Sequence, residues 1–320
     1  MDLAVTFLGT GGSVPSARRS TASVLVSRGG ERLLFDCGEG TQRQMQRSLG
    51  LVQADEIYLT HFHADHVLGI PGLLKTYDLT DRQVPLKIFG PPGLTELFQV
   101  FSPLIGRLGF TLDLTEVGPS DAVEHDGYEV QPFEASHRNT RANGYALVEA
   151  DRPGRFDPAA AAAAGVPEGP AYAALQRGEG VEGDVGTVTP DQVMGPSRQG
   201  RTVVITGDTA PSPATVSAAA DADLLIHDAS FAEEEVQRAA ETGHSTVAQA
   251  AAVADEAHVK LLALVHISSR YHVGKVIEEA REVFESTVAP KDFDVIELPF
   301  PERGEPELIP SGAVDKGGSG

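Results

Sequence analysis

Short apolar runs recur along the chain at 3–8, 22–26, 32–36, 56–59, 86–89, 128–133, 145–149, 202–206, 224–227, 261–265 and 294–298. Their length and β-branched content are those of strands. Between them, apolar positions return every three or four residues at 41–49, 66–78, 94–101, 246–256 and 274–287, the period of amphipathic helices. Early strands follow one another directly, whereas later ones alternate with helices. That order predicts an α/β chain in which two sheets pack together with helices outside, an αββα sandwich. Residues 1–300 are read as one domain. Residues 151–200 interrupt it with "DRPGRFDPAAAAAAGVPEGPAYAALQRGEG" and a Gly- and acid-rich continuation. An insertion of that length, with a short helix and Pro/Gly punctuation, is either functional or a mobile linker. Residues 301–320, rich in Pro, Gly and charge, are expected to be a disordered tail. No internal repeat is evident.

Composition narrows the partners. The 320 residues are 41% hydrophobic, which supports a substantial core. Lys+Arg 25 against Asp+Glu 46 gives a net charge of −21, which opposes general affinity for nucleic acid or anionic lipid. Arg outnumbers Lys, and low Lys with abundant Asp and Glu resembles a halophilic archaeal composition, in which a dense anionic surface stays hydrated in salt. The plainer alternative is an ordinary acidic cytosolic enzyme. Cys37 is the one cysteine, so no intrachain disulfide forms and any metal must rely on N and O ligands. It ends an apolar run and reads as a small buried hydrophobe. The opening "MDLAVTFLGTGG" lacks a basic n-region, and no segment approaches the roughly 20 apolar residues of a membrane span. A soluble, cytoplasmic protein is expected.

Chemistry concentrates in "LTHFHADHVLGIPGLL" (59–74), "ASHR" (135–138), "VITGDTA" (204–210) and "LVHISSRY" (264–271). The H-x-H-x-D-H spacing has a geometric reason. In an extended segment His61 and His63 lie on the same side and reach one ion. Asp65 and His66 follow at the turn into a helix and project toward a second. His137 completes the first site, Asp208 bridges both through its two oxygens, and His266 closes the second. This donor set suits Zn2+, with Mn2+ or Fe2+ as alternatives. A lone histidine is more often structural. Four candidate ligands packed within six residues directly after a strand point to metal, and His137, Asp208 and His266 each stand at a strand end. His125, His258 and His272 lack that context and read as surface or structural. The Gly-rich "LGTGGSVP" (8–15) lacks G-x-G-x-x-G spacing and reads as a tight turn.

Here the residues resemble a known family. "THFHADH" with the later "SH", "GD" and "H" is similar to the metallo-β-lactamase superfamily, whose fold is an αββα sandwich. Four further stretches narrow the resemblance to ribonuclease Z, the tRNA 3′-processing endonucleases: "LLFDCGEGTQRQ" (33–44), "HDASF" (227–231), "GHST" (243–246) and "HISSRY" (266–271). The insertion resembles that family's tRNA-clamping flexible arm, with its Gly-Pro element at Gly169 and Pro170. The family pattern usually has Glu where this chain has Asp228.

The resemblance implies two Zn2+ per subunit on the ligands above, with Asp65 as base or orienter of the attacking water. It implies His244, oriented by Asp228, as the acid for the leaving 3′ oxygen. Bare sequence reads His244 equally well as a residue beside a helix N-cap. It further implies precursor tRNA as substrate and a homodimer in which one subunit's arm grips RNA cut by the other. Arg270 and Ser268, with Gly169 and Pro170, are expected substrate contacts. Arg18, Arg19, Arg138 and Arg141 are candidate phosphate contacts. Two other readings stay open: a superfamily hydrolase of another phosphodiester, a thioester or a lactone, and a non-catalytic RNA-binding protein on a retired hydrolase fold.

Overall fold

The computed structural model describes residues 2–50, 52–184 and 186–312. Its strands are β1 (Leu3–Gly9), β2 (Ser23–Arg28), β3 (Glu31–Phe35), β4 (Glu56–Tyr58), β5 (Leu86–Gly90), β6 (Leu112–Glu116), β7 (Val123–His125), β8 (Tyr128–Glu134), β9 (Asn143–Glu149), β10 (Val181–Gly183), β11 (Gly186–Val188), β12 (Thr202–Ile205), β13 (Leu224–Asp228), β14 (Leu261–Val265), β15 (Thr287–Val288), β16 (Val295–Glu297) and β17 (Glu307–Ile309). Its helices are α1 (Thr41–Ser48), α2 (Ala64–Val67), α3 (Ile70–Leu79), α4 (Leu94–Ile105), α5 (Pro158–Ala163), α6 (Pro170–Gln176), α7 (Pro190–Val193), α8 (Pro213–Ala218), α9 (Val236–Thr242), α10 (Val247–Glu256) and α11 (Val273–Arg281). The first sheet runs β17-β16-β1-β2-β3-β4-β5-β6 and the second β15-β14-β13-β12-β9-β8-β7.

Strand alternation builds the sandwich. On β2 and β3, Val24, Val26, Leu33 and Phe35 face the inter-sheet core, while Leu25 and Leu34 face outward into a cluster closed by α1, α3 and α4. On β12 and β13, Val203, Ile205, Leu224 and Ile226 meet them from the other side. Val204 and Leu225 turn out toward α8, α10 and α11. Both sheets are covered on both faces, which is why their central strands are apolar at consecutive positions. The result is the expected αββα sandwich.

Several boundaries differ from the periodicity. The expected helix at 66–78 is two helices, because Gly69 and Pro71 at the start of α3 break the ladder after α2; proline has no N–H to donate. The edge strands β6 and β7 and the short β15 escaped notice, having half-exposed or very short apolar patterns. The expectation of a disordered tail is corrected at its start. Glu307–Ile309 pair antiparallel with β16, with Leu308 opposite Ile296, and Leu308 packs on the inter-sheet core. One inward apolar side chain and a free sheet edge suffice to order that strand. Residues 313–320 lie outside the described residues.

Residues 149–200 form a separate compact unit. Three short helices, α5 to α7, and the β10–β11 hairpin replace the single short helix expected from sequence. Ala161, Val166, Leu175, Val188 and Val193 form its own buried cluster, so it is a folded unit rather than a linker. The Asp157 side chain caps α5 by accepting from Ala160 N–H at 3.0 Å. Gly169, at φ +106°, and Pro170 start α6 and are exposed. No helix among the described residues is long and apolar enough to cross a membrane.

Candidate metal centre

The chemical residues gather where strands of both sheets end. His61 and His63 follow β4 in extended backbone, their ring centroids 4.5 Å apart, while Phe62 between them packs against the outer apolar cluster. That is the period-two arrangement the spacing predicts. His137 follows β8, Asp208 follows β12 and His266 follows β14. Ligand atoms of His61, His63, His137 and Asp208 all lie within 4.8 Å of one another, as do those of Asp65, His66, Asp208 and His266. Asp208 belongs to both groups. A third group joins Asp228, His244 and His266.

Hydrogen bonds at the back of each ring aim the other nitrogen into the centre. His66 Nδ1 bonds Asp36 Oδ2 at 2.7 Å. His137 Nδ1 donates to the Gly243 carbonyl at 2.8 Å. His266 Nδ1 meets Ser230 Oγ at 2.7 Å. Such partners fix a ligand's tautomer and orientation. Asp36 and Ser230 were not singled out from the sequence. Asp36 stands in "FDCGE" directly after β3 and also accepts from Thr60 N–H at 2.8 Å; its strand-end position was the available signal. Asp36 and His266 carry φ of +58° and +60°, the left-handed region that few residues other than glycine occupy and that Asp and His enter more readily than most. Glycine lets the backbone close in: a Cβ on Gly12 would sit 2.5 Å from His266 Nδ1.

The donor set fits divalent cations. His61 Nε2, His66 Nε2 and Asp208 Oδ1 are buried and make no hydrogen bond among the described residues. Buried polar atoms almost always have a hydrogen-bond partner; here His66 Nε2 and Asp208 Oδ1 only face each other at 3.3 Å, and bound cations would satisfy all three atoms. Burial, reinforced by the charge of His66, pushes the His61 pKa well down and keeps its imidazole neutral. Burial opposes charge on His66 too, yet Asp208 and Asp36 outweigh it and raise its pKa well above the usual value. Asp208 is likewise held as a carboxylate, against its burial, by His266 and His66. Without cations, imidazolium protons balance these carboxylates; bound cations would take their place.

Beside the ligands, Asp228 Oδ2 accepts from His244 Nδ1 at 2.8 Å, although an aspartate is one methylene shorter than the glutamate of the resembling pattern. Burial would lower the His244 pKa, but the Asp228 charge and hydrogen bond raise it to about 9. Asp65 Oδ2 accepts from Ser13 N–H at 2.8 Å and from His266 Nε2 at 3.1 Å, and despite its burial its pKa is lowered. The arginines divide. Arg270 pairs with Glu235 at 3.3 Å and donates through Nε to Ser268 Oγ at 3.2 Å. Arg138 and Arg141 are exposed. Arg19 is a structural residue, donating to Pro290 O at 2.8 Å and to Thr10 Oγ1. His125 bonds Tyr58 OH at 3.2 Å and stacks on Tyr128, outside the centre.

Comparison with known proteins sets these residues in a family. The chain is 49% identical over 311 residues to a ribonuclease Z of Halorubrum lacusprofundi, covering 95% of this chain and 100% of that one. The crystal structure of human tRNase Z, short form, superposes with a TM-score of 0.66 at 28% identity, covering 93% of this chain and 99% of that chain. The chain belongs to the ribonuclease Z family. Its fold is also that of the metallo-β-lactamase fold protein YhfI from Bacillus subtilis, at 20% identity and a TM-score of 0.69, covering 93% of this chain and 100% of that one. A family model described as Anti-Pycsar protein Apyc1 matches residues 3–148. That match is under half of the chain and stops before Asp208, Asp228, His244 and His266. The ribonuclease Z relationship spans the whole centre, including those four residues.

Proposed function

We propose that this ribonuclease Z family member is a metal-dependent endoribonuclease that removes the 3′ trailer of precursor tRNA. The observation that carries the reading is the pair of four-ligand groups sharing Asp208, set beside the Asp228–His244 pair. Four carboxylates converge there, Asp36, Asp65, Asp208 and Asp228, a charge that two divalent cations balance. The all-N,O donor set favours Zn2+, with Mn2+ or Fe2+ able to substitute. His61, His63, His137 and Asp208 would hold one ion, and Asp65, His66, Asp208 and His266 the other. Cations there supply a water of lowered pKa, from 15.7 to about 7, and positive charge against the phosphoryl oxygens.

The chain's own residues do the rest. Asp65, kept ionised, accepts a proton from the attacking water as its oxygen bonds to phosphorus. His244, held protonated by Asp228, gives its proton to the 3′ oxygen of the last tRNA nucleotide as the P–O3′ bond breaks. The products are tRNA with a 3′-hydroxyl and a trailer with a 5′-phosphate. The 149–200 unit serves as the tRNA-gripping arm, with Gly169 and Pro170 among its contacts, and Arg270 and Ser268 meet RNA beside the centre. The enzyme works as a homodimer in the cytoplasm, alongside its substrate.

A side-by-side assay of precursor tRNA and a small chromogenic phosphodiester tests the reading. Cleavage of the RNA at one position is the expected result. Hydrolysis of the small ester with the RNA left intact would refute it in favour of another superfamily hydrolase.

A further inference from the structure

Loop 10–20 has one end in the metal centre and the other at a basic depression. Ser13 N–H donates to Asp65 at 2.8 Å, and Gly12 lies against His266. Further along, the same loop walls a depression of about 560 Å³ whose opposite side is α1. Arg18, Arg19, Arg43, Arg47 and Lys291 line it, against two carboxylates, Glu39 and Asp292. That local positive excess stands in a chain of net charge −21.

The charges are not all available. Arg19 is committed to Pro290 and Thr10. Asp292 is committed to Thr10, Ser20 and Gln44. Arg18, Arg43, Arg47 and Lys291 are exposed and form no ion pair among the described residues. Elsewhere Lys75, Lys87, Arg177, Arg238, Lys260 and Lys275 each hold a carboxylate. With acids so abundant, four cations without an ion pair gathered around one depression, Arg18 on the loop side and Arg43 and Arg47 on α1, remain open to an external anion. Arg47 is also placed: its guanidinium lies 4.8 Å from the Phe293 ring centroid and donates to Gln44 Oε1 at 3.3 Å. A planar guanidinium held at a groove wall matches phosphate geometry.

The trailer keeps the phosphate through its 5′ oxygen and so leads away from the departing 3′ oxygen, which bears on which RNA segment this is. In the proposed in-line displacement the departing 3′ oxygen belongs to the tRNA body and faces His244. Asp65 stands on the attacking side, and loop 10–20 leads from Asp65 to the depression. We infer that the depression between this loop and α1 seats the phosphodiester backbone of the 3′ trailer. The inference rests on the nuclease reading above.

The test compares wild type with the triple variant Arg43→Ala, Arg47→Ala, Lys291→Ala and with the charge-conserving Arg43→Lys, Arg47→Lys. Substrates are precursor tRNAs bearing a trailer of about one or about twelve nucleotides, and a small chromogenic phosphodiester as a check on folding. The alanine variant should raise KM on the long-trailer RNA about tenfold or more, and change the other two substrates less than about twofold. The salt slope of long-trailer binding should fall by about 0.7 for each phosphate that is no longer neutralised. The lysine variant should stay near wild type. An unchanged KM on the long trailer overturns the inference, as does an equal loss on both RNAs, which would put this surface under the tRNA body. Wild type cutting neither RNA would sink the nuclease reading itself, and the inference with it.

Discussion

Removing His244 separates its chemical role from its structural one. Asp228 is fully buried and accepts from Thr209 N, Ser230 N, Ser230 Oγ, Ser245 N and His244 Nδ1. In His244→Ala four of those five donors remain, so the carboxylate stays largely satisfied. The cost to folding is that of one hydrogen bond to a charged group, about 1.5–3 kcal/mol. The catalytic cost is that of losing a positioned acid, about 10²–10⁴ in rate, or roughly 3–5 kcal/mol of barrier. A single-turnover assay at saturating enzyme reads the chemical step, with metal content measured to show that the centre is intact. The decisive comparison replaces the scissile 3′ oxygen by sulfur, which departs as a thiolate and needs no proton. His244→Ala should lose its full factor on the natural RNA and little on the sulfur-linked RNA. Equal losses on both substrates, or near wild-type cleavage of the natural one, would refute the acid role.

Other consequences follow from the same geometry. Asp65→Ala should abolish turnover while RNA binding, read by gel shift, survives; loss of binding alone would contradict its place in the chemistry. Val148 and Thr202 are register partners on β9 and β12, so a short turn can replace 149–200. That deletion should raise KM for precursor tRNA about tenfold or more and leave small-ester turnover within about twofold. Mixing it with Asp65→Ala should restore cleavage if the arm grips RNA for the partner subunit, and an inactive mixture would argue against that division of labour. The anionic surface should make the melting temperature rise as KCl goes from about 0.1 M to about 1 M, as the screening length falls from about 10 Å to about 3 Å; a falling value would remove self-repulsion as a factor in stability.

The candidate metal residues were legible because His61, His137, Asp208 and His266 come after strands while His63, Asp65 and His66 crowd directly behind His61, and their types and spacing suit little besides cation binding. The two-sheet order was legible from strands that succeed one another early and alternate with helices late. Asp36 and Ser230 were not, since each acts through a histidine distant in sequence: Asp36 on His66, Ser230 on His266. Such long-range pairing leaves no local pattern. The structural bonds of Arg19 were hidden for the same reason, its partner Pro290 lying far along the chain. The basic depression beside α1 was invisible because Arg18, Arg43 and Lys291 are brought together by the fold alone. Strands β6, β7, β15 and β17 lie at or beside sheet edges, where exposure erases the apolar signal.

The measurement closest to the central claim is cleavage of a trailer-bearing tRNA transcript by metal-replete protein, with and without chelator, with the new 3′ end mapped to the nucleotide. The expected result is a single 3′-hydroxyl end directly after the discriminator, the first unpaired nucleotide 3′ of the acceptor stem, lost with chelator and regained with added Zn2+ or Mn2+. Cleavage that persists in chelator after the protein has been shown to be metal-free, or ends scattered along the trailer, would contradict the account.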